Sequence, residues 1–241
     1  MSEAENQRKM LSLFPHNLIG SLENLQQLTA NRCDLLEVIF ELEGLTAEES
    51  NIFNNLTLLD LSSLPKLLHI WKKGPREIKG FNYLKHLEVR RCYSLKCLFP
   101  PSIAKLLVKL EKITVFFCTE MEEILAKESG DEENRDVIAF PLVESIQLIN
   151  LPKLECFYNE DNHAFEWPSL NSIDIIGCPK LKMFVSTSTK TPKLKGVDMG
   201  RRRRRGFQPI IEGDLNATIQ HIIKEKGFND RATPFDVFPY F

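Results

Sequence analysis

The sequence contains no long hydrophobic segment. The chain has 241 residues, of which 43% are hydrophobic, yet no apolar run approaches the ~20 residues that a helix needs to cross a bilayer. Residues 1–9 are polar and mixed in charge, unlike the apolar core of a secretory signal peptide. These absences exclude an obvious membrane span and favour a cytoplasmic protein.

Catalytic and metal-binding motifs are also missing. The chain has no G-x-x-x-x-G-K-[ST] phosphate loop, no H-E-x-x-H and no G-x-S-x-G. Its five histidines stand beside no nucleophile in a known motif, and its six cysteines include no C-x-x-C pair. We therefore expect no enzymatic activity, no cofactor, no bound metal and no small-molecule substrate.

What the sequence does contain is a repeat. In the clearest copy, Leu84, Leu87 and Val89 are followed by Cys92 and Leu95, which is the order of apolar residues in leucine-rich repeats. Six copies align in register roughly every 24 to 33 residues, as this architecture requires. They begin at Leu25, Leu56, Leu84, Leu110, Val143 and Leu170, and a degenerate seventh copy begins at Leu194.

The repeat predicts an α/β leucine-rich-repeat solenoid over residues 1–200, with about six to seven repeats. Each copy should form one short strand, the strands should stack into a curved parallel sheet on the concave face, and the convex side should be irregular or short-helical, for example over residues 102–107. Residues 10–20 resemble the convex half of a repeat. We therefore expect the chain to start in the middle of a repeat and to be part of a longer protein.

Residues 201–241 differ in composition from the repeats. They contain an arginine run, Arg201–Arg205, then a predicted capping helix over 215–226 and an aromatic tail. Asp214 is placed to cap this helix, whose apolar residues Leu215, Ile219, Ile222 and Ile223 share one face. The arginine run has three interpretations: a solvated rim, a nuclear import signal or a nucleic-acid contact. The formal net charge of -2 and the lack of a base-reading module argue against the nucleic-acid contact.

Four cysteines occupy the same repeat position, and we expect them to form a buried ladder of reduced thiols that donate to backbone carbonyls. These are Cys33, Cys92, Cys118 and Cys178. Two acidic inserts, residues 41–50 and 127–136, interrupt the period and are interpreted as solvated loops.

The side chains between the buried positions should point out of the concave face and form a protein-binding surface. Phe116, Ile149 and Ile176 recur at one position beside Arg90 and Arg91, a composition typical of interface hot spots. The alternative is that these residues lie under the chain's own loops or against a missing domain. The predicted partner-binding residues are Asp60, His86, Glu88, Arg90, Arg91, Thr114, Phe116, Phe117, Gln147, Ile149, Asp174 and Ile176.

Several motifs are similar to those of plant intracellular immune receptors of the coiled-coil nucleotide-binding leucine-rich-repeat class. They are Leu-Pro-Lys-Leu at 64–67 and 151–154, Phe-Glu-Trp-Pro-Ser-Leu at 165–170 before a Cys-Pro-Lys-Leu copy, and Gly-Asp-Leu-Asn-Ala-Thr-Ile-Gln at 213–220. The resemblance covers about residues 10–225. It implies a sensor region that recognises a pathogen effector or a guarded host protein, or restrains the receptor's nucleotide-binding domain. The second hypothesis is a substrate-recruiting adaptor of a ubiquitin ligase, which would need an F-box upstream.

Overall fold

The computed structural model describes residues 12–15, 24–43, 51–72, 79–127, 136–199, 207–211 and 213–226. The arginine run, the tail after residue 226 and most of both predicted acidic loops lie outside these described residues. Within the described residues, sixteen short strands and two helices form a succession of stacked turns. The strands and helices are β1 (Ser12–Phe14), β2 (Gln27–Asn31), β3 (Val38–Glu41), β4 (Asn51–Ile52), β5 (Leu58–Ser62), β6 (His69–Lys72), β7 (Lys79–Gly80), β8 (His86–Arg90), α1 (Pro101–Ala104), β9 (Lys112–Phe116), β10 (Asp136–Ala139), β11 (Ser145–Ile149), β12 (His163–Glu166), β13 (Ser172–Ile176), β14 (Thr189–Lys190), β15 (Gly196–Asp198), β16 (Phe207–Pro209) and α2 (Leu215–Lys226).

Seven parallel strands, one from each repeat copy, form the main sheet, which runs in the order β2-β5-β8-β9-β11-β13-β15. The strands pair in parallel without a register shift, so Leu59 faces Leu87 and Ile113 faces Ile146. Within each strand the apolar residues alternate with polar ones, and the apolar residues point into the core. The predicted leucine-rich-repeat solenoid is confirmed.

The residue after each of the first six main-sheet strands adopts a left-handed backbone conformation. Arg32, Ser63, Arg91, Phe117 and Asn150 have φ values of 54–59°, and Gly177 has φ 69°. This conformation costs roughly 1 kcal/mol or more for a residue other than glycine. The backbone N–H of Arg91 nevertheless donates to Phe116 O at 2.9 Å, and that of Phe117 donates to Ile149 O at 2.9 Å. The turn thus extends the hydrogen-bond ladder by one residue, which offsets part of the cost.

The convex side is more regular than the sequence alone suggested. The helix predicted over 102–107 is present as α1 with a following turn, but most other repeats use short strands there. β1, β3 and β6 form one ladder, and single bridges such as Phe99–Leu125 and Tyr158–Val185 continue it. Strands β10, β12 and β14 form a further ladder. Where a turn of the solenoid has a short strand on the convex side, its backbone N–H and C=O groups pair with those of the next turn.

Aromatic rings pack along the core inside the stack. Phe40 lies 4.8 Å from Phe53, Phe140 stacks on Trp167 at 4.4 Å, and Phe157 stacks on Phe184 at 4.9 Å between ring centroids. These rings are buried. They fill the space between the sheets and bind each turn of the chain to the next.

The carboxyl-terminal end of the stack is closed by two elements. β16 pairs antiparallel with β15, and α2 buries Leu215, Ile219 and Ile222 against the core. Asp214 caps the helix, accepting a hydrogen bond from Ala217 N at 3.0 Å. The predicted capping helix is therefore confirmed, including its cap residue and its apolar face.

Candidate protein-recognition face

The outward side chains of the main sheet form the surface that we call the recognition face. Because the strands pair without a shift, these side chains lie in straight rows across the sheet. The first row is Gln27, Leu58, His86, Lys112, Ser145, Ser172 and Gly196. The second is Thr29, Asp60, Glu88, Thr114, Gln147, Asp174 and Asp198, and the third is Asn31, Ser62, Arg90, Phe116, Ile149 and Ile176.

The amino-terminal part of the recognition face holds a charge cluster. Nη2 of Arg90 donates to both carboxylate oxygens of Asp60, at 3.0 and 2.8 Å, and lies 3.6 Å from Glu88 Oε2. All three side chains are partly buried. One cation held between two carboxylates compensates part of their charge and fixes the three side chains relative to one another.

A second pair of contacts lies beside this cluster, at the start of strands β8 and β9. Lys85 Nζ lies 3.0 Å from Glu111 Oε1, and His86 Nε2 lies 3.6 Å from Glu111 Oε2. His86 is exposed on the recognition face as predicted from the sequence.

The carboxyl-terminal part of the face has a different character. Phe116, Ile149 and Ile176 follow one another in the third row and are each partly exposed. In the second row, Gln147 Nε2 donates to Asp174 Oδ2 at 3.0 Å. This part of the face therefore combines a strip of apolar surface with carboxylates.

Three of the twelve predicted binding residues differ from expectation in their setting. Thr114 lies in the second row but is only 2% exposed, and its Oγ1 has no hydrogen-bond partner among the described residues. Threonine is shorter than Glu88 and Gln147 on either side of it, so its side chain lies below their level. Arg91 and Phe117 lie in the left-handed turns after the strands, at the margin of the face.

Nothing in the repeat pattern predicted that Phe207 would join the recognition face. It lies in β16 and is 57% exposed. A Cβ on Gly196 would come within 2.4 Å of the Phe207 ring and 2.3 Å of Gln208 O, which shows that the ring lies over this glycine. The one available signal was the glycine itself, which replaces the larger side chains found elsewhere in the first row.

The cysteine ladder beneath the face is largely as predicted. Cys92, Cys118 and Cys178 are buried, and their thiols lie 3.5–4.0 Å from the carbonyl oxygens of the neighbouring turn. Burial raises the pKa of the Cys178 thiol to about 12. Cys33, in the first repeat, is exposed, so the prediction of burial was wrong for this residue. β2 has a paired strand on one side only, and the described part of the chain stacks nothing over Cys33.

Two further findings concern metal binding and membrane crossing. Among the described residues, no group of three or more histidine, cysteine, aspartate or glutamate side chains is arranged to bind a metal ion. The two helices in the described ranges are too short and too polar to cross a membrane.

A coil of short parallel strands with leucine, isoleucine and cysteine at fixed inward positions defines a leucine-rich-repeat protein. Residues 3–119, just under half of the chain, match the family model for the leucine-rich repeats of RPS2-like plant disease resistance proteins. This part of the chain is therefore similar to the leucine-rich repeats of plant disease resistance proteins.

Two proteins of known sequence show the same similarity. The chain is 28% identical over 167 residues to a probable disease resistance protein of Arabidopsis thaliana, covering 62% of this chain and 22% of that protein. It is also 28% identical over 155 residues to a second Arabidopsis thaliana disease resistance protein, covering 64% of this chain and 12% of that protein. The chain therefore spans less than a quarter of the length of these relatives. No solved structure matches the chain.

Proposed function

We propose that this chain is the protein-recognition region of a plant immune receptor of the nucleotide-binding leucine-rich-repeat class. Its recognition face binds a protein, which is a pathogen effector, a guarded host protein or the nucleotide-binding domain of the same receptor. Its role is binding in the cytoplasm, without catalysis, cofactor or small-molecule substrate. The similarity to plant disease resistance proteins supports this proposal over the ubiquitin-ligase adaptor.

One observation carries the proposal. Phe116, Ile149 and Ile176 are aligned, partly exposed and apolar on a face whose other outward residues are mostly polar. Each interrupts the polar alternation that keeps a one-sided sheet soluble. Apolar side chains beside Arg90 form the composition found at the centre of protein interfaces.

The test uses the full receptor that contains this region, expressed in leaf tissue. The double variant Phe116→Asp with Ile149→Asp places charge in the apolar row without touching the core. The matched control is Val137→Asp, because Val137 is also an apolar strand residue but is 53% exposed and lies on β10, away from the main sheet. Protein accumulation and the defence response are measured with and without the pathogen.

The double variant should change the response while the control behaves as the unmodified receptor. A lost response to the pathogen would indicate that the face recognises an effector or a guarded protein. A response without the pathogen would indicate that the face restrains the nucleotide-binding domain. A double variant that accumulates normally and responds as the unmodified receptor does would overturn the proposal.

A further inference from the structure

Charged residues are segregated by position on the recognition face. Every carboxylate that projects outward from a main-sheet strand lies in the second row. Over the first six strands, the third row and the turn residues that follow it contain no aspartate or glutamate but three arginines: Arg32, Arg90 and Arg91. The amino-terminal half of the margin, where these arginines lie, is therefore basic.

Two of these three arginines are not compensated by an acidic residue. Arg90 is held by Asp60 through hydrogen bonds of 2.8 and 3.0 Å. The guanidinium groups of Arg32 and Arg91 make no hydrogen bond or ion pair with any residue that the structure describes. Both side chains are exposed. Two positive charges at the margin are thus available to a ligand.

The two arginines stand on either side of Ser63. Arg32, Ser63 and Arg91 follow β2, β5 and β8, which are neighbours in the main sheet. The backbone N–H of Arg32 donates to Ser62 O at 3.1 Å, and that of Ser63 donates to Arg90 O at 2.8 Å, so the three turns are stacked. The backbones of Arg32 and Arg91 are therefore about 10 Å apart, twice the strand spacing. Long side chains from both positions can converge over Ser63.

Hydroxyl groups lie between the two arginines. Ser62 ends β5 in the third row and Ser63 follows it, and both are partly exposed. Neither hydroxyl has a hydrogen-bond partner within the described ranges of the chain. Because a hydroxyl can donate to an anion, this margin offers two guanidinium groups and two O–H donors to one ligand.

The backbone conformation of these turns does not call for arginine. Arg32 and Arg91 have φ values of 56° and 54°, a region that disfavours residues with a Cβ atom. The same position holds Asn150 and Gly177 in later repeats, and these residue types adopt it at lower cost. Strained backbone of this kind is found preferentially where a side chain has a functional role.

These donors suit a phosphate group better than a carboxylate. A phosphorylated side chain carries about −1.5 to −2 charges at pH 7 and three acceptor oxygens, so it can pair with two guanidinium groups and still accept from a hydroxyl. A carboxylate carries one charge, and a single guanidinium already matches its two oxygens. Two arginines around one point therefore favour the phosphate.

Aromatic surface lies next to this group of donors. Phe116 is opposite Arg90 in the register of β8 and β9 and is partly exposed. Tyr93, two residues after Arg91, is 44% exposed. Apolar residues that flank a phosphate in a partner chain would therefore meet aromatic rings.

We propose that Arg32, Ser62, Ser63 and Arg91 form a binding site for a phosphorylated serine or threonine of the partner protein. The two guanidinium groups pair with the phosphate oxygens, and the serine hydroxyls donate to the same oxygens. Apolar residues beside the phosphate contact Phe116. This inference rests on the proposed function and specifies a modification that the partner carries.

The experiment measures binding of short labelled peptides to the whole chain by fluorescence anisotropy. The three probes have the same leucine-flanked sequence and differ only in the central residue, which is phosphoserine, serine or glutamate. The unmodified chain should bind the phosphoserine peptide at least about tenfold more tightly than the serine peptide and about threefold more tightly than the glutamate peptide. Unlabelled inorganic phosphate is added as a competitor, and it should displace the peptide only weakly.

Variants of the four residues make the test specific to this site. Arg32→Gln with Arg91→Gln removes both charges and should abolish the preference for phosphoserine over serine. Ser62→Ala with Ser63→Ala keeps the charges and removes only hydroxyl donors. This second variant should weaken phosphoserine binding about threefold while retaining the preference.

The matched control is Lys180→Gln with Lys193→Gln. Both lysines are exposed and lie in the sixth and seventh repeats, so this variant loses the same two charges far from the amino-terminal margin. It should bind the phosphoserine peptide as the unmodified chain does. Circular dichroism checks that every variant is folded.

The outcomes separate this inference from the proposed function. Equal binding of the phosphoserine and serine peptides, no binding of either, or a preference that survives in the double arginine variant would overturn the phosphate site. Inorganic phosphate that binds as tightly as the phosphoserine peptide would also overturn it, because the site would then recognise free phosphate. The recognition face has its own test in the response of the Phe116→Asp and Ile149→Asp receptor.

Discussion

The two ends of the main sheet share one sequence pattern but differ in how well they are shielded. At the first strand, Leu28 is 8% exposed and Cys33 is exposed, whereas at the sixth strand the equivalent Ile173 and Cys178 are each 1% exposed. The inward residues are chemically similar at both ends. The difference shows that a repeat does not bury its own apolar face, because burial is supplied by the neighbouring repeat.

The well-shielded end is closed by residues outside the repeats. The side chain of Asn216 in α2 accepts hydrogen bonds from Phe184 N and Val185 N at 3.0 and 3.1 Å and donates to Val185 O at 2.7 Å. One asparagine thereby satisfies backbone groups that a further strand would otherwise pair. The capping helix ends the stack because its Asn216 makes the backbone hydrogen bonds that a further turn would make.

The largest expected difference between the two ends is in thiol reactivity. Only the thiolate reacts with iodoacetamide, and burial raises the pKa of Cys178 to about 12. In the native protein at a pH near 8, Cys33 should be alkylated at least about a hundredfold faster than Cys178, because Cys33 is exposed whereas Cys178 is 1% exposed and remains protonated. Mass spectrometry of the labelled peptides measures both rates.

The pH dependence and a denatured control test the same comparison. Because its pKa is raised, Cys178 should remain protonated and slow through moderately alkaline pH, and its rate should rise only as the pH approaches 12. In concentrated urea both residues should react at similar rates. Equal rates in the native protein would mean that the sixth repeat is no better shielded than the first.

The next largest expected effect is the loss of unfolding free energy when equivalent core residues at the two ends of the sheet are truncated. Ile173→Ala removes a side chain enclosed between β11 and β15 and should lower the free energy of unfolding by about 2–5 kcal/mol. Leu28→Ala should cost less, about 1–2 kcal/mol, because β2 pairs only with β5 and the site is already partly open. Urea denaturation followed by circular dichroism measures both, with Leu87→Ala as an internal-repeat control. Equal losses at Leu28 and Leu87 would contradict the comparison.

A smaller loss of stability is expected when the hydrogen bonds of the capping helix α2 are removed. Asn216→Ala leaves the N–H groups of Phe184 and Val185 without their acceptor and should cost about 1–3 kcal/mol. Hydrogen exchange of these two amides should accelerate along with the loss of stability. The exposed Asn159 provides a matched control, and Asn159→Ala should change neither quantity. Unchanged exchange in Asn216→Ala would show that the helix closes the stack by apolar burial alone.

The smallest effect should come from the ion pairs between repeats. Lys153 Nζ lies 2.6 Å from Glu120 Oε2, but both side chains are about 40% exposed, and exposed pairs contribute less than about 1 kcal/mol. Glu120→Gln should therefore shift the thermal midpoint only slightly, and added salt should shrink the shift further. A loss as large as that of Ile173→Ala would mean that charge pairing, and not apolar stacking, distinguishes the shielded repeats.

The rows of the recognition face were predictable because a repeat fixes register. Once the copies were aligned, Asp60, Glu88 and Gln147 had to share a row, since any shift would turn their inward neighbours outward. The capping helix was equally readable from Asp214 and the spacing of its apolar residues. Whether the residues of the recognition face bind a partner stays a prediction.

Other features could not be predicted from the sequence of each repeat considered separately. The burial of Thr114 depends on the lengths of Glu88 and Gln147 from other repeats, and the exposure of Cys33 depends on a neighbour that the pattern does not describe. The position of Phe207 over Gly196 requires β16 to turn back on β15. Each of these outcomes is set by which segments meet in space.

The sequence by itself determined the solenoid, the register of its strands and the helix that closes it, because these follow from local periodicity repeated many times. Only the tertiary structure decided which charges meet. It placed the guanidinium of Arg90 on Asp60 in one half of the face and the amide of Gln147 on Asp174 in the other. The physical reason is that electrostatic pairing depends on distances between side chains of different repeats, and those distances exist only once the turns are stacked.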